Sequence, residues 1–264
     1  MWLGGRNTEV QPGSKPSTLA AIPNPQLMFY FNTDKFDFWV IYDSIKRFYP
    51  IGIGKDETKM FQSYPGMADL ESIIVDKIHN KRQLKKWNDF TKQIETGIHK
   101  PIHGTTYGQA PCFSSYVELD NFSHGNFIRT KELHFFVSLA GPFYSIVGQD
   151  INTVRVGDNY FKGTNYLTIS PENEYASSFI FLCDQIEKHF KDYRFVPFGI
   201  CKQIIEGLYV KYDDNNRNAV FNAIFNNHID LNIYALGDDY YKSDDWIKDG
   251  YVDKGNGWTS YPPT

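Results

Sequence analysis

Five apolar residues, Phe179, Leu182, Cys183, Ile186 and Phe190, recur at i, i+3, i+4, i+7 and i+11, the spacing that lines one face of an α-helix. A clear start signal precedes them. Ser170 suits the N-cap and Pro171 the first helical position, and Glu172 and Glu174 set negative charge against the positive end of the helix dipole. Runs of aromatic and β-branched residues flank the helix: Tyr166, Leu167 and Ile169 before it, and residues 194–196 after it. Residues 165–212 are therefore expected to fold as strand, helix and strand, with the apolar helix face buried.

Residues 27–53 have the same layout. Residues 27–31 read as a strand and Thr33 or Asp34 as an N-cap, and Phe38, Ile41, Tyr42, Ile45 and Tyr49 repeat the apolar spacing. The two exits, residues 47–53 and 194–200, both spell R-F-x-P-x-G-I. The pair is a candidate internal strand–helix–strand duplication.

The remaining chain supplies helices and a meander. Residues 1–26 hold Gly4, Gly5, Pro12, Gly13, Pro16, Pro23 and Pro25 and few large apolar groups, so they are expected to form a flexible tail. Residues 65–97 read as two helices broken near Asn80, with Leu70, Ile73, Ile74 and Ile78 on one face, Leu84, Trp87 and Ile94 on the next, and Thr96-Gly97 as the stop. Residues 101–163 alternate strand-like runs with turn residues, as in an antiparallel meander, and a short strand pair is expected around Gly157-Asp158-Asn159. A further strand over residues 208–212 and a helix over residues 218–227, with Val220, Phe221, Ile224 and Phe225 inward, complete the pattern. This predicts an α+β fold with a mixed or antiparallel sheet and about four or five helices. One domain is expected over residues 27–264, and any subdivision would fall near residues 157–163.

Composition narrows the functional classes. With 264 residues, 41% hydrophobic and 22% charged, the chain can bury a sizeable core without staples. Three scattered cysteines, Cys112, Cys183 and Cys201, make neither a disulfide framework nor a four-thiolate zinc site. The N-terminus has no secretory pattern and no apolar run reaches the ~18 residues of a membrane span, so a cytoplasmic address with no membrane partner is expected.

No catalytic signature is present, and neither a cofactor nor a metal site is expected. Gly52-Ile53-Gly54-Lys55 lacks the upstream glycine of a phosphate loop and is followed by Asp56 where Ser or Thr is needed. A calcium loop starting at Asp214 fails because Ala219 and Phe225 occupy its glycine and glutamate positions. Pro101 separates His99 from His103, and His134 lies in an apolar run as a core histidine would. The basic cluster Lys77, Lys81, Arg82, Lys85 and Lys86 has only Trp87 as a stacking partner, so it reads as a solvated helix face and not as a nucleic-acid site.

Charge concentrates late in the chain. Residues 206–253 carry 10 Asp and Glu against 4 Lys and Arg, a net −6 in a chain whose total is −4. There Tyr240, Tyr241, Trp246 and Tyr251 interleave with Asp238, Asp239, Asp244 and Asp245, and aromatics make up 17% of the whole chain. Tyrosine and tryptophan give rigid contact area and carboxylates steer a cationic partner, so these eight residues are the expected contact set for a basic protein. In its composition and this acidic, aromatic segment the chain resembles the small cytosolic immunity proteins that bacteria make against secreted polymorphic toxins. The resemblance implies a non-enzymatic, stoichiometric inhibitor. Two alternatives are a metal-dependent hydrolase or nuclease using Asp238, Asp239, Asp244 and Asp245, and a carbohydrate-binding module.

Overall fold

The computed structural model describes residues 39–212 and 218–247. The expected tail, the strand at 27–31, the cap at Thr33 or Asp34, Phe38 and Tyr251 lie outside them. The fold is α+β. A mixed sheet of seven strands carries helices on both faces, and among the described residues there are eight α-helical segments, four of them ten residues or longer.

The first half is helical. α1 (Trp39–Phe48) buries Ile41, Tyr42 and Ile45 at the expected spacing. A short α2 (Thr58–Gln62) precedes α3 (Pro65–Ile74), which runs into one π-helical turn, Val75–His79. Asn80 then caps α4 (Lys81–Ile98), its carboxamide oxygen accepting from the backbone N–H of Arg82 at 3.0 Å. The stop of α4 is not Thr96-Gly97. His99 takes the left-handed conformation with φ 57° and closes the helix, while Gly97 lies within it, where a Cβ would overlap the ring of Phe181. The basic cluster points largely to water, with Lys85 paired to Asp89 at 2.6 Å, and Trp87 is buried.

The meander follows as β1 (Ile102–Gly104), β2 (Cys112–His124), β3 (Phe127–Ser138), β4 (Phe143–Val156) and β5 (Asn159–Thr168), antiparallel in chain order. Two hairpins turn on two residues each, with Gly125 and Gly157 leading at φ 59° and 61°, the positive φ that the first position of a II′ turn demands. The short pair expected around residues 157–159 is the end of two long strands, and residues 157–163 form a hairpin tip within the sheet.

After β5, a 3₁₀ turn (Asn173–Tyr175) leads into α5 (Ala176–His189), which buries Phe179, Leu182, Cys183 and Ile186. Ser170 is not its N-cap: its hydroxyl accepts the backbone N–H of Asp238 at 2.9 Å. Gly237, with φ 114°, permits that approach. β6 (Arg194–Phe195) pairs parallel to β4 where β5 no longer reaches, and α6 (Phe198–Cys201) follows. Residues 208–212 are not a strand; Leu208 makes a single bridge to Ile51. The helix expected over 218–227 contracts to α7 (Val220–Ile224), with Val220, Phe221, Ile224 and Phe225 inward as expected. β7 (Ala235–Leu236) joins β5 in parallel, and α8 (Asp244–Ile247) ends the described chain. The two R-F-x-P-x-G-I exits differ in conformation: the first closes α1, whereas the second makes β6 and α6.

The strand register divides the sheet residues between two faces. One face, with Phe113, Leu133, Phe135, Tyr144 and Ile146, packs under α4 and α5, where Trp87 stacks on Phe113 at 5.0 Å and meets Phe135 at 5.7 Å. The other meets α7, with Phe136 edge-on to Phe221 at 5.1 Å. All these groups belong to one continuous apolar cluster. Among the described residues no helix is long and apolar enough to cross a membrane.

Gly66 marks the tightest contact between helices α1 and α3. A Cβ there would overlap the backbone carbonyl of Arg47. Gly66→Ala is expected to destabilise the protein by about 1–3 kcal/mol, whereas Gly104→Ala, which meets nothing within 4 Å, stays within about 0.5 kcal/mol. Urea unfolding of both variants checks the contrast.

Candidate binding surface

The structure divides the predicted C-terminal contact set. Trp246 is fully buried: its indole N–H donates to the Phe195 carbonyl at 2.9 Å, its ring lies over Phe143, and the Arg194 guanidinium stands 5.5 Å from it. Tyr241 is half-buried, edge-on to Phe179 and Phe195. These rings stabilise the fold and are not free contact area. Asp239 pairs with Lys202 at 3.1 Å, and Asp245 lies 3.8 Å from Lys242, which also binds Glu187. Asp238 accepts the backbone N–H of Tyr240, closing a local turn. Asp238, Asp244 and Tyr240 remain exposed, and Tyr251 lies outside the described residues.

A different surface is richer in free apolar area. Beyond the reach of α4 and α5, strands β2 to β5 continue as two hairpins whose residues become exposed. Phe122, Val154, Val156, Tyr160 and Phe161 there are 40% to 62% accessible. Two register shifts, at Glu118/Asp120 in β2 and Asp150/Ile151 between β4 and β5, set which side each residue takes. After them Phe122, Val154, Val156 and Phe161 share the face that α4 and α5 cover further along the sheet. Tyr160 projects from the opposite face, where Arg155 stands 5.7 Å from its ring.

Polar pairs mark the line where the cover ends. The carboxylate of fully buried Asp150 accepts two hydrogen bonds from Arg129, at 3.1 and 2.6 Å, and one from Asn165 at 2.5 Å. Burial alone would raise its pKa, but these donors and the guanidinium charge hold it below the usual range. Lys131, on the same face, binds Glu174 just ahead of α5. The outer edge of β5 is paired by β7 only at Leu167 and Thr168, which leaves residues 159–165 without a neighbouring strand among the described residues.

On the opposite sheet face lies a cluster of titratable groups. His134 Nε2 is 2.8 Å from the Glu132 carboxylate, and the pair is buried; Tyr116 lies between the His134 and His103 rings, at 5.0 and 4.9 Å. His103 Nε2 is 3.7 Å from Glu118. The expected core role of His134 holds at Nε2, while its Nδ1 has no hydrogen-bond partner among the described residues. Burial would raise the Glu132 pKa, but the hydrogen bond and charge of His134, with Lys162 and His103, bring it below 4.5. His228 is lowered by burial and by nearby His134. No group of three or more metal-ligating side chains is assembled among the described residues.

No family model, curated protein or solved structure matches the chain.

Two predictions follow from this geometry. Trp246→Ala is expected to cost about 3–5 kcal/mol of stability, against about 0.5 kcal/mol or less for Asp244→Lys at an exposed position, both read by urea unfolding. Glu132 has a folded pKa below its ordinary 4.5, so it stabilises the protein above that pH, and the contribution is lost as pH falls through the folded value. His228, held below its ordinary 6.5, resists protonation in the folded state, so stability also falls on acidification beneath pH 6.5. A pH series of unfolding free energies should therefore decline toward acid, and His228→Gln should flatten its upper part and Glu132→Gln its lower part.

Proposed function

We propose that this chain is a non-enzymatic binding protein that holds a protein partner against the uncovered end of its sheet, in the manner of an immunity-type inhibitor. The observation that carries this reading is the row of Phe122, Val154, Phe161 and Val156 on one face of the projecting hairpins. Large apolar side chains grouped on a rigid, solvent-facing surface are the composition of an interface core. The two hairpins are anchored by ladder hydrogen bonds that continue into the core, so little backbone ordering is lost on binding. Their elongated shape suits insertion into a cleft, as blocking an active site requires. The exposed acids Asp238 and Asp244, with a net charge of −4, supply long-range attraction for a basic partner, while the hairpin rings supply the contact area.

Capture from the native cell extract with the tagged chain, followed by titration of the retained protein, tests the reading. The wild type should bind one basic protein stoichiometrically, and Phe161→Asp should weaken it at least tenfold, about 1.4 kcal/mol, with unchanged folding because Phe161 is exposed. Asp244→Lys should mainly slow association and lessen its salt dependence. Binding that survives Phe161→Asp and Val154→Asp at full strength would rule out the hairpin surface.

A further inference from the structure

We infer that the cleft between α3, its π-helical turn and residues 211–212 is a binding site for a small amphiphile with an apolar body and a carboxylate head. The cleft holds about 450 Å³, within the ~300–1,000 Å³ of small-ligand pockets. Its apolar lining comes from Met67, Leu70 and Ile74 of α3 and from the rings of Tyr49 and Tyr212. Both phenols donate elsewhere, Tyr49 to the Ala223 carbonyl and Tyr212 to that of Asn222. Val75 and Tyr107 complete the lining, and both are exposed.

The polar groups of the lining select the head. Gln109 brings an amide N–H donor and Lys211 an ammonium, while the Nε2–H of His79 is already spent on the Gly108 carbonyl at 2.9 Å. Among the described residues Glu71 is the one carboxylate of the lining, and it already binds Lys211 at 2.8 Å. Both partners also line the adjoining cleft, so the ion pair stands on the lip between the two spaces. It is largely exposed, at 56% and 63%, which makes the pair weak and exchangeable. A ligand carboxylate seated over the apolar lining would take the place of Glu71 on the Lys211 ammonium. The α3 turn that leads to the site is π-helical, a wider geometry that recurs at functional positions. This site is separate from the hairpin surface, and its test does not depend on a protein partner.

Calorimetric titration of the full chain with decanoate, kept below its micelle concentration, tests the assignment against decanol and decylamine. Decanoate should bind and raise the melting temperature, with decanol weaker and decylamine weakest. Lys211→Met should weaken decanoate about tenfold, and Glu71→Gln, which frees Lys211, should strengthen it by a factor of several. Val75→Trp, at an exposed position that leaves the core intact, should block the cleft. The proposal is overturned if the wild type binds no decanoate at millimolar concentration, if Lys211→Met and Val75→Trp bind it as the wild type does, or if decylamine binds equally well.

Discussion

Strand length against helix length governs this molecule. β4 has 14 residues and spans about 46 Å at ~3.3 Å per residue. α5 also has 14 residues but spans only about 21 Å at ~1.5 Å per residue. A helix laid along such a strand covers about half of it. The covered half becomes the core, with Trp87, Phe113 and Phe135 interlocked under α4. The other half projects as two hairpins whose ladder hydrogen bonds continue from the core but whose side chains meet water.

Where the cover stops, the chain changes from apolar to ionic contacts. On the α4/α5 face Gly148 lies so close to Tyr175 that a Cβ would come within 2.8 Å of its ring, and two residues further along stands Asp150 with Arg129. A buried carboxylate without partners would carry a heavy desolvation cost; with a guanidinium fork and an amide it is satisfied. On the other face the Glu132 carboxylate is met by His134 Nε2. A slip of one residue would turn each of these charges to the other face of the sheet, away from its partner.

Helical periodicity was the most legible part of the sequence. Ile41, Tyr42 and Ile45, Leu70 and Ile74, Trp87 and Ile94, and Phe179, Leu182, Cys183 and Ile186 all face inward at the expected spacing. The break near Asn80 was legible, and there the side chain caps α4, whereas Ser170, the expected N-cap of α5, was recruited by the backbone of Asp238, 68 residues away. The repeated R-F-x-P-x-G-I string met two surroundings: Arg194-Phe195 found the free edge of β4, while Arg47-Phe48 closes α1 and pairs with no strand among the described residues. The C-terminal segment holds another such case. Trp246 sits among five aspartates in sequence, yet the space over Phe143 and beside Phe195 draws it into the core. Nor does the sequence of Val154 or Phe161 distinguish a covered strand from a bare one, because coverage depends on where α4 and α5 end.

A bare, apolar sheet end with an open edge invites pairing with other chains, and the chain blunts this risk. Lys162 stands in the middle of the open stretch of β5, and Gly163 beside it adds no apolar area. On the opposite face Arg155 shields Tyr160. These charges oppose indiscriminate strand addition while leaving the face with Phe122, Val154, Val156 and Phe161 uncovered. Full suppression of stickiness would have replaced those four residues with polar ones, at no cost to a core they do not join. For the binding role proposed above, those four residues would supply the attraction and the flanking charges the penalties against other chains that selectivity requires.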